Sequence, residues 1–226
     1  METIAEFSRQ LTFLSENEEI EVLIITGQGE KAFCSGADIR ELALMEKSDI
    51  DDYVHKGSEA FKKIESFPAP VIGVINGYAF GAAFELLMAC DIRFMAQETK
   101  IGQPAVRHGL VPPFGGTHRL PQIVGAGKAK EIIFSGIELS AEECLRINLV
   151  NRIFPRKELL GETIKFAETI TQNKKYAVKL AKEAINYSIF SNNDSFEDNA
   201  LITCLKNDIT KKQLMSFFEK DKSEKN

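Results

Sequence analysis

Tryptophan is absent from the 226-residue chain, histidine occurs three times and cysteine four times, and each shortage removes a class of function. Without Trp, any interface must be anchored by other side chains. Cys34, Cys90, Cys144 and Cys204 are scattered: no two form C-x-x-C, and no His stands at metal-ligand spacing from any of them. Neither a metal site nor a disulfide framework is expected, and the four read as reduced thiols of a cytosolic protein. Basic residues are outnumbered, 28 Lys and Arg against 33 Asp and Glu, so no nucleic-acid surface is indicated overall. A local basic patch for a phosphorylated ligand stays compatible with that balance. The apolar run Val71–Ile75 is far too short to cross a membrane. Met1-Glu2-Thr3 does not open a signal peptide, so the expectation is a soluble, cytoplasmic protein. Neither G-x-x-x-x-G-K-[ST] nor a strand–G-x-G-x-x-G–helix pattern occurs, which removes phosphate-loop and dinucleotide readings.

What is present describes an α/β protein. A chain of this length buries roughly 70% of its unfolded surface and needs no staple to fold. Apolar residues at helical spacing (Ile4, Phe7, Leu11, Leu14) predict a first helix over 4–14. The β-branched run 20–26 predicts a buried strand, closed by Gly27 and Gly29. A helix is expected over 58–67, stopped by Pro68 and Pro70. Strands are expected at 71–75 and 92–95, with a helix from Gly81 through Cys90 between them. That alternation predicts a sheet with mostly parallel pairing. From about Ser140 the chain reads as almost purely helical, opened by the capping-box pattern Ser140-x-x-Glu143. Further helices are expected over 157–171, 174–189, 195–206 and 210–219, before a charged tail that frays. The division expected is a core over 1–155 and a helical region over 156–226, whose apolar faces call for another subunit.

The chemistry concentrates between Phe33 and Leu120. Two junctions are built of small residues: Cys34-Ser35-Gly36-Ala37-Asp38 and Gly77-Tyr78-Ala79-Phe80-Gly81-Ala82-Ala83. Small residues let a ligand approach the backbone, and a helix starting near Ala82 aims free N–H groups outward. Such an arrangement suits an anion or a polarised carbonyl oxygen, but tight turns with close helix–strand packing would need the same residues. Glu85 is the one charged residue in the otherwise apolar or small stretch 80–90. It is either a buried acid with a chemical task or a first-turn Glu favoured by the helix dipole. Asp38 fits a turn-bonding role better than an acid's. His55 and His108 have no partner that sequence identifies, and His118, in a Gly-Gly-Thr-x-Arg turn, reads as a surface or supporting residue.

Phe33-Cys34-Ser35-Gly36-Ala37-Asp38-Ile39 resembles the F-[CA]-[AS]-G-A-D-[IL] segment of the crotonase (enoyl-CoA hydratase/isomerase) superfamily. Pro70–Gly81 (PVIGVINGYAFG) resembles its P-V-I-A-A-[VI]-N-G-x-A-x-G segment, and Gln103-Pro104, Gly109-Leu110-Val111-Pro112 and Gly115-Gly116-Thr117-x-Arg119-Leu120 follow in register. The resemblance covers about residues 3–220. It implies a β-β-α spiral core with a helical C-terminal trimerisation region, a trimer or dimer of trimers, and acyl-CoA thioesters as substrate, with no separate cofactor. It implies that the backbone N–H groups of Ala37 and Ala82 form an oxyanion hole, and that Glu85 is an acid/base. Asp38, Ile39 and Arg40 would wrap the CoA chain, Arg40 towards its phosphates, and Phe217 and Lys220 resemble the family's adenine-side contacts.

The sequence departs from that family in ways that bear on function. Hydratases carry a second glutamate directly after Gln-Pro, and here Ala105 stands there. Water held between two carboxylates is then not available, and Glu98 is a weak substitute. The single remaining carboxylate suits a proton shift, an elimination or the decarboxylation of a malonyl-type thioester, and a catalytically impaired acyl-CoA-binding member is the other reading. Decarboxylase-like members use a Tyr where this chain has Pro112-Pro113-Phe114. Met1 falls near the start of the first helix, where the family has one or two strands before it: either the sheet loses an edge and CoA affinity weakens, or the sequence is truncated, which explains the departure equally well. The usual D-x-x-E-G turn reads Ile209-Thr210-Lys211-Lys212-Gln213, and Ala82 stands where hydratases usually have Gly.

Overall fold

The N-terminal element is an amphipathic helix, and most of the later strands are followed within a few residues by Gly or Pro. The computed structural model describes residues 2–191 together with 203, 209 and 210. Among them the chain runs α1 (Glu2–Ser15), β1 (Leu23–Thr26), β2 (Ala32–Cys34), α2 (Ile39–Leu44), α3 (Lys47–Glu65) and β3 (Val71–Ile75). β4 (Tyr78–Phe80), α4 (Ala82–Ala89), β5 (Ile92–Ala96) and β6 (Lys100–Gly102) follow, then a 3-10 turn (Ala105–His108), α5 (Gly116–Val124) and α6 (Ala126–Ser135). The chain continues through β7 (Glu138–Ser140), α7 (Ala141–Arg146), β8 (Arg152–Phe154), α8 (Arg156–Thr171) and α9 (Lys175–Ser191). Two compact units emerge, Met1–Gln172 and Asn173–Asn226, and α9 belongs to the second.

The eight strands form two four-stranded sheets, ordered β1-β3-β5-β8 and β2-β4-β6-β7. All pairings are parallel except the antiparallel β6–β7 pair. This mixed, mostly parallel α/β architecture is the expected fold class. β3 is central and buried at every position, as its unbroken apolar run requires. Gly73 in β3 lets α4 lie close: a Cβ there would sit 2.9 Å from Leu87 Cδ2 and 3.2 Å from Cys90 Sγ. α4 therefore joins two cores. Ala83, Leu87 and Met88 pack with Ile75, Met95 and Ile101, while Ala89 and Cys90 pack with Leu11, Ile64 and Phe67. Each large apolar side chain fully buried there contributes about 1.5–3 kcal/mol.

Asn76 ties the turns after β1 and β3 together. Its Nδ2 donates to the carbonyls of Gly27 (3.0 Å) and Gly29 (2.6 Å), and its Oδ1 accepts from Gly27 N–H at 3.0 Å. Gly77 must follow, because any Cβ would stand 2.6 Å from the Lys31–Ala32 backbone. The capping box forms as expected: Ser140 Oγ accepts from Glu143 N–H, and Glu143 Oε2 accepts from Ser140 N–H.

Several expectations are corrected. The first long strand is only Leu23–Thr26, because pairing with β3 starts at Leu23–Val71 and residues 17–20 are folded in a turn. The helix expected at 58–67 begins at Lys47. Gly57 lies inside this helix and leaves a packing gap: a Cβ there would lie 2.2 Å from the Phe114 ring. The region after Ser140 is not purely helical, since β8 adds to the edge of the first sheet beside β5. The whole second sheet was unforeseen, as three-residue strands are too short to display an alternation. Apart from Thr203 and Thr210, the helices expected at 195–206 and 210–219 lie outside the described residues, as do Cys204 and the site candidates Phe217 and Lys220. Cys34, Cys90 and Cys144 are not joined in a disulfide.

Candidate active site

The two small-residue junctions meet. Gly36 has φ +93°, and a Cβ on it would lie 2.4 Å from the Phe80 carbonyl oxygen and 3.4 Å from Ala82 N. Gly81 adopts φ +58°, ψ −121°, a conformation open essentially to glycine alone. Its N–H donates to Gly102 O at 3.1 Å, which fixes the bend. α4 then starts at Ala82, whose N–H has no acceptor within the helix. On the other junction, Asp38 caps α2: its Oδ1 accepts from Arg40 N–H at 2.8 Å and from Glu41 N–H at 3.4 Å. Asp38 is thus occupied with its own backbone.

Both junctions open on one cavity of about 670 Å³, lined by Ala37, Ile39, Ala82, Glu85 and Ala105. Leu42, Met45, Ile50, Val54, Leu110, Val111 and Phe114 give it a mostly apolar wall. Of the candidates read from sequence, the structure therefore brings Ala37, Ile39, Ala82 and Glu85 together. Asp38 and Arg40 are exposed and stand outside the cavity lining.

Glu85 is buried, 1% exposed, as is Gln103 on the same cavity. Its Oε1 accepts two backbone hydrogen bonds, from Phe114 N–H and Gly116 N–H, each 2.8 Å. Gly116 is needed for this approach, because a Cβ would come within 2.9 Å of Oε1. Oε2 is buried and makes no hydrogen bond among the described residues. Burial pushes the carboxyl up to about 7, against the opposing pull of the Gly116 and Phe114 N–H groups, the Arg119 charge and the Gln103 amide. A group balanced there holds or releases a proton at neutral pH. The Gln103 side chain itself spans the site, with Nε2 donating to Gly81 O at 3.3 Å and Oε1 accepting from Ala105 N–H at 3.4 Å.

Glu138 is a second carboxylate on the cavity wall, but it is exposed and its Oε2 lies 3.8 Å from Lys100 Nζ. Glu98 is elsewhere, accepting from the Arg156 N–H at 3.2 Å. Sequence reasoning missed Tyr53 and His108, which both line the cavity. Tyr53 sits on the inner face of the unforeseen first half of α3, and His108 ends a 3-10 turn with no periodicity to reveal it. Among the described residues no group of three His, Cys, Asp or Glu is placed to hold a metal ion, and no helix is long and apolar enough to cross a membrane.

The model of the enoyl-CoA hydratase/isomerase family matches residues 1–225. The chain belongs to that family. It is 37% identical over 225 residues to a crotonyl-CoA hydratase of Syntrophomonas wolfei, spanning 98% of this chain and 86% of that protein. It is likewise 37% identical over 226 residues to a short-chain-enoyl-CoA hydratase of Clostridium acetobutylicum, spanning 99% of this chain and 87% of that one. The crystal structure of an enoyl-CoA hydratase from Bacillus anthracis superposes with a TM-score of 0.90 at 36% identity, covering 96% of this chain and 85% of that chain. The fold is therefore the crotonase fold, and the relatives support an enzyme of the hydratase/isomerase class.

Proposed function

We propose that the chain binds acyl-CoA thioesters with the thioester oxygen between the N–H groups of Ala37 and Ala82, and that Glu85 is its acid/base. The observation that carries this reading is Glu85 Oε2: a buried carboxyl oxygen without a hydrogen bond, in a cavity that Ala37 and Ala82 also line. Gaining or losing a proton beside a thioester builds charge on the carbonyl oxygen. Two fixed donors stabilise that enolate, each contributing about 3–4 kcal/mol in comparable holes. Short-chain enoyl-CoA thioesters, named in two relatives, are the first substrates to test.

Ala105 shapes the reaction. It lines the cavity where hydratases of the resembled pattern place their second glutamate, and Glu138 is turned to Lys100. With one carboxyl, the site favours enolate chemistry that needs a single proton carrier over the addition of water. Decarboxylation of a malonyl-type thioester is the second reading, favoured by the same Ala105. There the bond between Cα and the carboxylate breaks, its electron pair forms the enolate as carbon dioxide leaves, and protonated Glu85 delivers the proton to Cα. A complex with acetoacetyl-CoA tests the core of the proposal. The thioester oxygen is expected about 2.7–3.1 Å from both nitrogens. A thioester bound elsewhere overturns the site. Mass spectrometry of products from a panel of acyl-CoAs then separates proton shift, hydration and decarboxylation.

Assembly as a trimer or a dimer of trimers is part of this proposal. Leu160 and Ile164, one turn apart on α8, are exposed, as is Phe134 on α6. Sedimentation velocity at micromolar concentration is expected to give a trimer-based species, and a stable monomer overturns that expectation.

A further inference from the structure

The grip on Glu85 comes from a loop and from the first residue of the helix it leads into. Phe114 N–H and Gly116 N–H hold Oε1, and residues 110–115 between the 3-10 turn and α5 have no regular structure of their own. A segment of that kind holds its N–H groups in place only if something holds the segment.

Arg119, on α5, reaches back to it. The side chain is buried, and Nη1 donates to the carbonyl of Phe114 at 2.6 Å, on the residue whose N–H binds Glu85. Its other two donors form a fork with one carboxylate: Nε to Glu65 Oε1 at 2.6 Å and Nη2 to Glu65 Oε2 at 2.7 Å. Glu65 is the last residue of α3. The guanidinium passes directly over Gly115, where a Cβ would collide with Nη1, and Gly115 has φ +100°. A continuous chain of contacts therefore runs from α3 through α5 and the loop to α4. Paired geometry of this kind is specific to Arg, since a Lys ammonium cannot make the fork and the carbonyl bond in one plane.

We propose that Arg119, oriented by Glu65, is a positioning residue that holds the Phe114–Gly116 peptides against Glu85 and keeps the free carboxyl oxygen turned into the cavity. The proposal rests on Glu85 as the acid/base, and its electrostatics give it a signature of its own. Arg119 favours the charged form of Glu85. Glu65 offsets part of that charge. The other charged or titratable groups around the cavity are Tyr53 from α3, Arg107 and His108 from the 3-10 turn, and Glu138 from β7. None of these is altered by changes at Arg119 or Glu65.

The test is a direct titration of Glu85 by NMR of protein labelled with ¹³C at the Glu carboxyls, its signal assigned by its loss in Glu85→Gln. Arg119→Gln keeps a donor for the Phe114 carbonyl but removes the charge, and is expected to raise the Glu85 midpoint by about one unit. Glu65→Gln leaves Arg119 uncompensated and is expected to lower it by a similar amount. Arg119→Lys keeps the charge without the fork, so the midpoint should stay near the native one while turnover falls about tenfold or more, through kcat with KM little changed. General loosening would move both midpoints the same way, so shifts of equal sign, or none, overturn the proposal. If Arg119→Gln does not fold, the Glu65→Gln shift and the Arg119→Lys split between midpoint and kcat still decide it. Opposite shifts with turnover unchanged in all three variants would support the relay and overturn instead the reading of Glu85 as the acid/base.

Discussion

Glu85→Gln is expected to lower turnover by about 10²–10⁴-fold while leaving thioester affinity nearly unchanged. The amide keeps the shape and an oxygen that accepts from Phe114 and Gly116 N–H, but it cannot carry a proton. Thioester contacts are assigned to backbone groups of Ala37 and Ala82, which the substitution does not touch. Steady-state kinetics and calorimetric binding of a thioester analogue together check the two halves. Ala105→Glu, on the same cavity, is expected to raise crotonyl-CoA hydration, because it supplies a carboxylate to hold water opposite Glu85. Placed in a Glu85→Gln background it should gain little, since each carboxylate needs the other. Unchanged turnover in Glu85→Gln would make Glu85 a helix-start residue and end the mechanism.

The same substitution is expected to stabilise the protein, in a pH-dependent way. The carboxyl of Glu85 sits at about 7 in the folded chain, against an ordinary value of 4.5. Between these values the folded state retains a proton that the unfolded state releases, so this group's contribution to stability falls as pH rises. The loss is absent below about pH 4.5 and complete above about pH 7, where it amounts to roughly 3 kcal/mol. Gln does not titrate. Urea unfolding of the two proteins should therefore coincide near pH 4 and diverge to about 3 kcal/mol in favour of the Gln variant at pH 8. A difference that is constant with pH, or of opposite sign, would mean that the buried charge is compensated by something other than the groups described.

The parts of this fold that were legible were those with enough residues to show a period. β3 announced itself as an unbroken apolar run, β5 as a short strand after it, and α4 by its position between them. The second sheet did not, because β2, β4, β6 and β7 have three residues each and are held by neighbours far away in sequence. Glu85 stood out because a charge in the run 80–90 is chemically odd. Its partners were hidden, since a backbone N–H at Phe114 or Gly116 leaves no trace in residue type. Arg119 lay in a motif that could be read, but the carboxylate that orients it, Glu65, is 54 residues earlier. Asp38 was legible as a turn former and proved to be the cap of α2.

Phe114 carries two duties at once. Its ring is fully buried, tilted against Tyr53 at 5.5 Å, edge-on to Phe61 at 5.4 Å, and seated in the gap that Gly57 leaves. Its backbone nitrogen grips the acid. Protein engineers wishing to reshape the cavity thus meet a wall where volume and reactivity cannot be varied independently, since a bulkier residue 57 or a smaller residue 114 displaces the peptide behind it. Leu110 and Val111, exposed on the same cavity and bonded to neither Glu85 nor Arg119, form the side on which new substrate shapes can be explored at little risk to the proton carrier.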